Sequence, residues 1–218
     1  MNIQLVTYIN LPHRREKNGK MVGQLLGCGI PFYRTEGVVP ENFRDYRVPE
    51  YLRPGSTRHK GTVGCYLAHR RAVADLESKC ASPRFDKDGQ VMIFEDDVSL
   101  SETFWPHIGT LWIPDDCDMV FFDNSHKNGT SPDPGHMVAG RKDLCFIHTG
   151  WPAFFGAYAY VIPIRNLSRI RHILDNPPNG LYWDVDGYYI QNTRAYSYRT
   201  NRVRVTCGIS DRNPDHVV

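Results

Sequence analysis

Ile3, Leu5, Val6, Ile9 and Leu11 form an apolar run that Pro12 ends, which predicts an opening strand. A helix is expected from Arg14 to Leu26, with Gly27 and Gly29 as stop signals, and a short strand over Pro31 to Thr35. Residues 37 to 60 are rich in proline, glycine and charge and read as an exposed, irregular stretch. From Thr62 to Lys79, Cys65, Ala68, Ala72 and Leu76 recur at helical spacing and give one apolar stripe. Val91 to Phe94 is an unbroken apolar run of the kind that fills a buried central strand, and Glu95, Asp96 and Asp97 follow it at once. Ser101 is placed to cap a helix through Phe104, Ile108 and Leu111. Met119 to Phe122 repeats the buried-strand pattern and ends in Asp123. Asn124 to Gly140 reads as a long loop. Tyr158 to Ile162 predicts a strand, Leu167 to Leu174 a helix, Asp184 a further helix start, and Tyr196 to Cys207 an alternating strand. Strands alternating with helices predict an α/β layer fold with a mixed, mostly parallel sheet.

The chain has 218 residues, which favours one domain over 1–218, and its 41% hydrophobic and 12% aromatic residues suffice for a core. Lys+Arg 26 against Asp+Glu 24 leaves a net charge of +2, too little to drive binding to nucleic acid. No apolar run reaches the roughly 18 to 20 residues that span a bilayer, and the opening lacks a basic segment before its apolar stretch, so no signal peptide is expected. Six scattered cysteines without a CxxC pair then read as reduced thiols of a cytoplasmic protein.

The acidic triplet is the strongest chemical signal. Ligands of open α/β sheets bind at the carboxyl ends of strands, where Glu95, Asp96 and Asp97 fall. One or two carboxylates with phosphate oxygens and water suit magnesium or manganese; a solvated turn leading into the next helix is the competing reading. His69 lies on the apolar stripe, as a satisfied core histidine or as a catalyst. Arg14 and Arg15 follow the first strand as a paired surface charge or a pyrophosphate fork. Asp184 and Asp186 sit among Tyr182, Trp183, Tyr188 and Tyr189, a setting shared by sugar sites and by ordinary helix starts. The Trp151 to Tyr160 segment is either core or a sugar-stacking wall.

These motifs, in this order, resemble glycosyltransferase family 25, the lipooligosaccharide and procollagen galactosyltransferases. YINLPHRREK is similar to that family's opening INL with an arginine pair, GTVGCYLAHRRAV to its GEIGCALSH helix, and VMIFEDDV to its ILEDDV. GAYAYVIP, WDVD and the late ISD follow in register, so the resemblance runs from Tyr8 to Asp211. It implies a GT-A fold, a Rossmann-like nucleotide-binding α/β domain with helices on both sides of its sheet. It also implies an inverting, metal-dependent transfer of a hexose, galactose or glucose, from a UDP-sugar to a glycan or glycoconjugate hydroxyl. Lipopolysaccharide-like acceptors and a peripheral membrane contact go with it.

By the same resemblance, Ile9, Asn10, Leu11 and Arg15 contact the uridine diphosphate, and Thr62, Gly64 and His69 line the donor pocket. Glu95 and Asp96 belong to the donor site as well. Asp97, with Asp96, holds Mn2+ or Mg2+. Asp184 matches the family's late aspartate and is expected to be the general base, with Asp186, two residues on, the carboxylate that would exchange roles with it. Pro12, Thr62 and Ala68 depart from the family's acid, glutamate and serine, and the chain is short for the family, so its acceptor-binding part is expected to differ. Two other functions remain compatible with these residues: a nucleotide-sugar-binding pseudoenzyme, and a metal-dependent hydrolase of nucleotide sugars.

Overall fold

The computed structural model describes residues 1–122, 137–141, 143–147, 157–198 and 205–207. Its elements, in chain order, begin with β1 (Ile3–Asn10), α1 (Arg15–Leu25), β2 (Phe32–Glu36), α2 (Thr57–Cys80) and β3 (Gln90–Glu95). β4 (Val98–Leu100), α3 (Phe104–Ile108), β5 (Met119–Phe121), β6 (Leu144–Ile147) and β7 (Ala159–Pro163) follow. The chain continues through α4 (Leu167–Asp175), α5 (Val185–Asn192), β8 (Ala195–Tyr198) and β9 (Val205–Cys207). A seven-stranded sheet in the order β2-β1-β3-β7-β5-β8-β6 carries the fold. The pairs β1–β2, β1–β3 and β5–β8 are parallel, while β7 and β6 run against their neighbours, so the sheet is mixed.

Side chains alternate across a strand, and here both faces are apolar because helices cover both. Leu5, Ile9, Val91, Ile93, Met119 and Phe121 pack with Ala72 and Leu76 of α2, Ile170 of α4 and Tyr189 of α5. Val6, Tyr8, Met92, Phe94 and Val120 point the other way, onto Met21 and Leu25 of α1 and Phe104 and Ile108 of α3. The period-2 pattern thereby sorts one set of strands into two cores.

Several elements differ from the sequence expectation. α2 starts at Thr57 rather than Thr62, because the Ser56 side chain accepts the His59 amide at 3.1 Å and caps it. The stretch before it is irregular but not simply exposed: Val48 and Leu52 bury against Val63. Isolated apolar residues among prolines have no period to read, yet they find a helix to cover. α3 ends at Ile108, with Gly109 at its C-terminus, and Ser101 contributes its carbonyl to the Phe104 amide rather than a side-chain cap. The strand expected over 196–207 is two strands in different sheets, since β9 pairs antiparallel with β4, an unexpected element. Cys28, Cys65, Cys80, Cys117 and Cys145 are unbridged. Asp123, most of the 124–140 loop, residues 151–156 and the late ISD motif lie outside the described residues.

Candidate active site

β1 and β3 are parallel neighbours, and Ile9 pairs in register with Glu95. Their carboxyl ends therefore place Asn10 and Leu11 beside the acidic triplet, and α2 crosses over both. Between them lies a cavity of about 280 Å³. Ile9, Leu11 and Arg14 form one side, Glu95, Asp96 and Asp97 the floor, and Gly37 to Pro40 a wall. α2 presents Thr57, Lys60, Gly61, Gly64, Cys65, Ala68 and His69 to it. Small residues on that face are what leave the space. A Cβ on Gly64 would sit 2.6 Å from the Val38 carbonyl oxygen, so only glycine lets the wall approach the helix this closely.

The three acids have three different environments. Asp96 is buried with both oxygens hydrogen-bonded: Asn10 Nδ2 donates to Oδ2 at 2.8 Å and Arg14 Nη1 to Oδ1 at 3.1 Å. Asn10 also donates to the Arg14 carbonyl at 3.2 Å, which ties the end of β1 to the start of α1. Asp97 is buried too, but its Oδ1 has no hydrogen-bond partner among the described residues. Burial, reinforced by the neighbouring Glu95 charge, pushes its carboxyl up to about 7, with Lys17 opposing. An ionised Asp97 is thus only partly compensated by Lys17, and an orphaned carboxylate oxygen at a cavity floor fits a hard divalent cation. Glu95 accepts from His69 Nε2 at 3.0 Å, with the Cys65 thiol 3.6 Å from the same oxygen. His69 is 1% exposed, and its Nδ1 lies 2.7 Å from the Tyr160 hydroxyl, so it is held on both nitrogens.

Of the residues expected at a donor site, Ile9, Leu11, Gly64, His69, Glu95, Asp96 and Asp97 line this one cavity, and Asn10 sits behind Asp96. Arg15 does not; it is exposed on α1, and Arg14 takes the inward position. Asp96, expected to share the metal with Asp97, lies in the same cavity lining, with each of its oxygens also accepting a hydrogen bond from Asn10 or Arg14. Thr62 is buried about 100° round α2 from Gly61 and donates to Asp184 Oδ1 at 3.1 Å. Asp184, the N-cap of α5, also meets Arg58 at 3.8 Å and lies outside the cavity lining. Asp186 is buried and accepts the Gly187 amide at 2.9 Å. Tyr51 stands beside this pair, exposed, with its ring 6.4 Å from that of Trp183.

Sequence reasoning passed over Lys60, Cys65 and the 37–40 wall. Cys65 and His69 are four apart on α2, a spacing that could have flagged them as facing partners. The wall carries no such signal.

No protein-family model matches the chain, and no curated protein matches it. Among solved structures, it is similar to a glycosyltransferase involved in the glycosylation of the major capsid of PBCV-1, with a TM-score of 0.48 and 11% identity over 89% of this chain and 80% of that one. It is also similar to the galactosyltransferase LgtC in complex with donor and acceptor sugar analogues, with a TM-score of 0.37 and 11% identity over 89% of this chain and 86% of that one. Likenesses this remote decide neither substrate nor chemistry.

Proposed function

We propose that the chain is an inverting glycosyltransferase of GT-A architecture that moves a hexose, galactose or glucose, from a UDP-sugar to a hydroxyl of a glycan or glycoconjugate. The observation that carries this reading is the cavity at the carboxyl ends of β1 and β3, floored by a buried carboxylate with an open oxygen and flanked by Arg14. The family 25 resemblance of the motifs that meet there supports it. Ile9 to Leu11 would read the uracil, and the Arg14 guanidinium and Lys60 would face the diphosphate. Asp97 would hold Mn2+ or Mg2+, which when bound supplies a positive charge to the leaving diphosphate. Asn10 and Arg14 keep Asp96 fixed beside it. Asp184 would take the proton from the acceptor hydroxyl as that oxygen attacks the anomeric carbon from the face opposite UDP. Its hydrogen bond from Thr62 orients the carboxylate, and exposed Tyr51 offers an apolar ring beside it for a pyranose face.

The decisive experiment combines calorimetry and turnover. UDP is expected to bind far more tightly with Mn2+ than in excess chelator, and UDP-hexose consumption to require a glycan. Equal UDP affinity with and without metal would overturn the metal assignment. Donor loss to water alone identifies a hydrolase, and binding without turnover on any glycan identifies a pseudoenzyme.

A further inference from the structure

We propose that Cys65, His69 and Glu95 form a second metal site, one that takes a borderline transition ion of the zinc class with three protein ligands and a fourth position open to the cavity. It does not rest on sugar transfer and would stand if that reading failed.

Cys65 and His69 project from one face of α2, four residues apart, and Glu95 meets them from the end of β3. One ligand atom from each lies within 4.8 Å of the others. Nε2 of His69 is 3.0 Å and Sγ of Cys65 3.6 Å from Glu95 Oε1. Ligands bound tetrahedrally to one zinc at about 2.0 to 2.3 Å lie roughly 3.3 to 3.6 Å apart, so small side-chain adjustments complete the geometry. Thiolate, imidazole and carboxylate together suit zinc, cobalt or nickel better than magnesium or manganese, which distinguishes this trio from all-oxygen Asp97. The support behind it is also in place. Tyr160 holds His69 Nδ1 at 2.7 Å, and its hydroxyl lies 3.1 Å from that of Tyr189.

The protons balance through that chain. Without metal, His69 Nε2–H donates to Glu95, and the Tyr160 hydroxyl donates to Nδ1. With metal, the Cys65 thiol releases its proton to solvent, and the imidazole carries its proton on Nδ1 and donates it to Tyr160. Tyr160 then donates to Tyr189, so one proton leaves per ion bound. All three ligands line the cavity, so the fourth position faces whatever occupies it: water, or an anionic oxygen of the ligand.

Cobalt(II) titrated into the reduced, chelator-treated full chain tests this by absorption. One equivalent should raise a sulfur-to-cobalt charge-transfer band, and one equivalent of Zn2+ should remove it. Cys65→Ser and Cys65→Ala, checked for native circular dichroism, should lose the band and weaken Zn2+ binding roughly 100-fold or more. Cys28→Ser, which alters the other partly exposed thiol among the described cysteines, and Asp97→Asn should both keep the band. Absence of the band in the folded wild type, its survival in both Cys65 variants, or its loss in Asp97→Asn would each overturn the proposal.

Discussion

Replacing Asp97 by asparagine should make the metal-free protein more stable at pH 8, against the usual expectation for a mutated site residue. The Asp97 carboxyl is held near pH 7 instead of the ordinary 3.8, chiefly by burial and secondarily by Glu95. A folded-state value raised above the unfolded one means that the native state binds the proton more tightly. The penalty is therefore absent below about pH 4, grows between about pH 4 and 7, and is complete above pH 7. At pH 8 its full size is of order 4 kcal/mol, at about 1.4 kcal/mol for each tenfold of proton affinity. Asparagine removes the charge but brings an amide donor into a buried position, so a net gain of about 2–3 kcal/mol is expected. Urea denaturation in excess chelator, followed by tryptophan fluorescence, should show Asp97→Asn behind the wild type by the amide's cost of about 1–2 kcal/mol at pH 4 and ahead of it at pH 8. Adding Mn2+ at pH 8 should stabilise the wild type and leave the variant unmoved. A variant less stable than wild type at pH 8, by a margin that does not change with pH, would refute the account of Asp97 as a poorly compensated buried charge.

Three other outcomes are expected. Asp184→Asn should cut turnover by roughly two to four powers of ten with donor affinity nearly unchanged, whereas Asp186→Asn, which keeps an oxygen for the Gly187 amide, should change it little. The opposite ranking in steady-state kinetics would exchange their roles. Gly64→Ala should displace the Val38 wall, costing about 1–3 kcal/mol and weakening UDP binding in calorimetry, because its Cβ has no room at 2.6 Å; unchanged affinity would show that the wall does not touch the nucleotide. In a thermal-shift panel with Mn2+, UDP should stabilise the protein more than GDP does, and the reverse order would exclude the uridine reading.

Hydrophobic periodicity alone determined most of the framework. The mainly apolar stretch Ile3 to Ile9 and the run at Val91 to Phe94 are strands because short apolar segments bounded by turn residues bury well in a sheet covered by helices on both faces. The acids after β3 were legible as a site for the same reason: a polar triplet immediately beyond a buried strand must emerge at the sheet's carboxyl edge. Their division of labour was not legible. Asp96 and Asp97 are adjacent and chemically identical, and only the tertiary structure gives one of them Asn10 and Arg14 while leaving an oxygen of the other open. The choice of Arg14 over Arg15 likewise depends on how the chain turns from β1 into α1, because Arg14 is the non-helical N-cap beside Asp96 while Arg15 opens the helix on its exposed side. Cys65 and His69 come from α2 and Glu95 from the end of β3, 26 positions beyond His69. Their meeting depends on α2 crossing the end of β3, a packing event that no local pattern encodes.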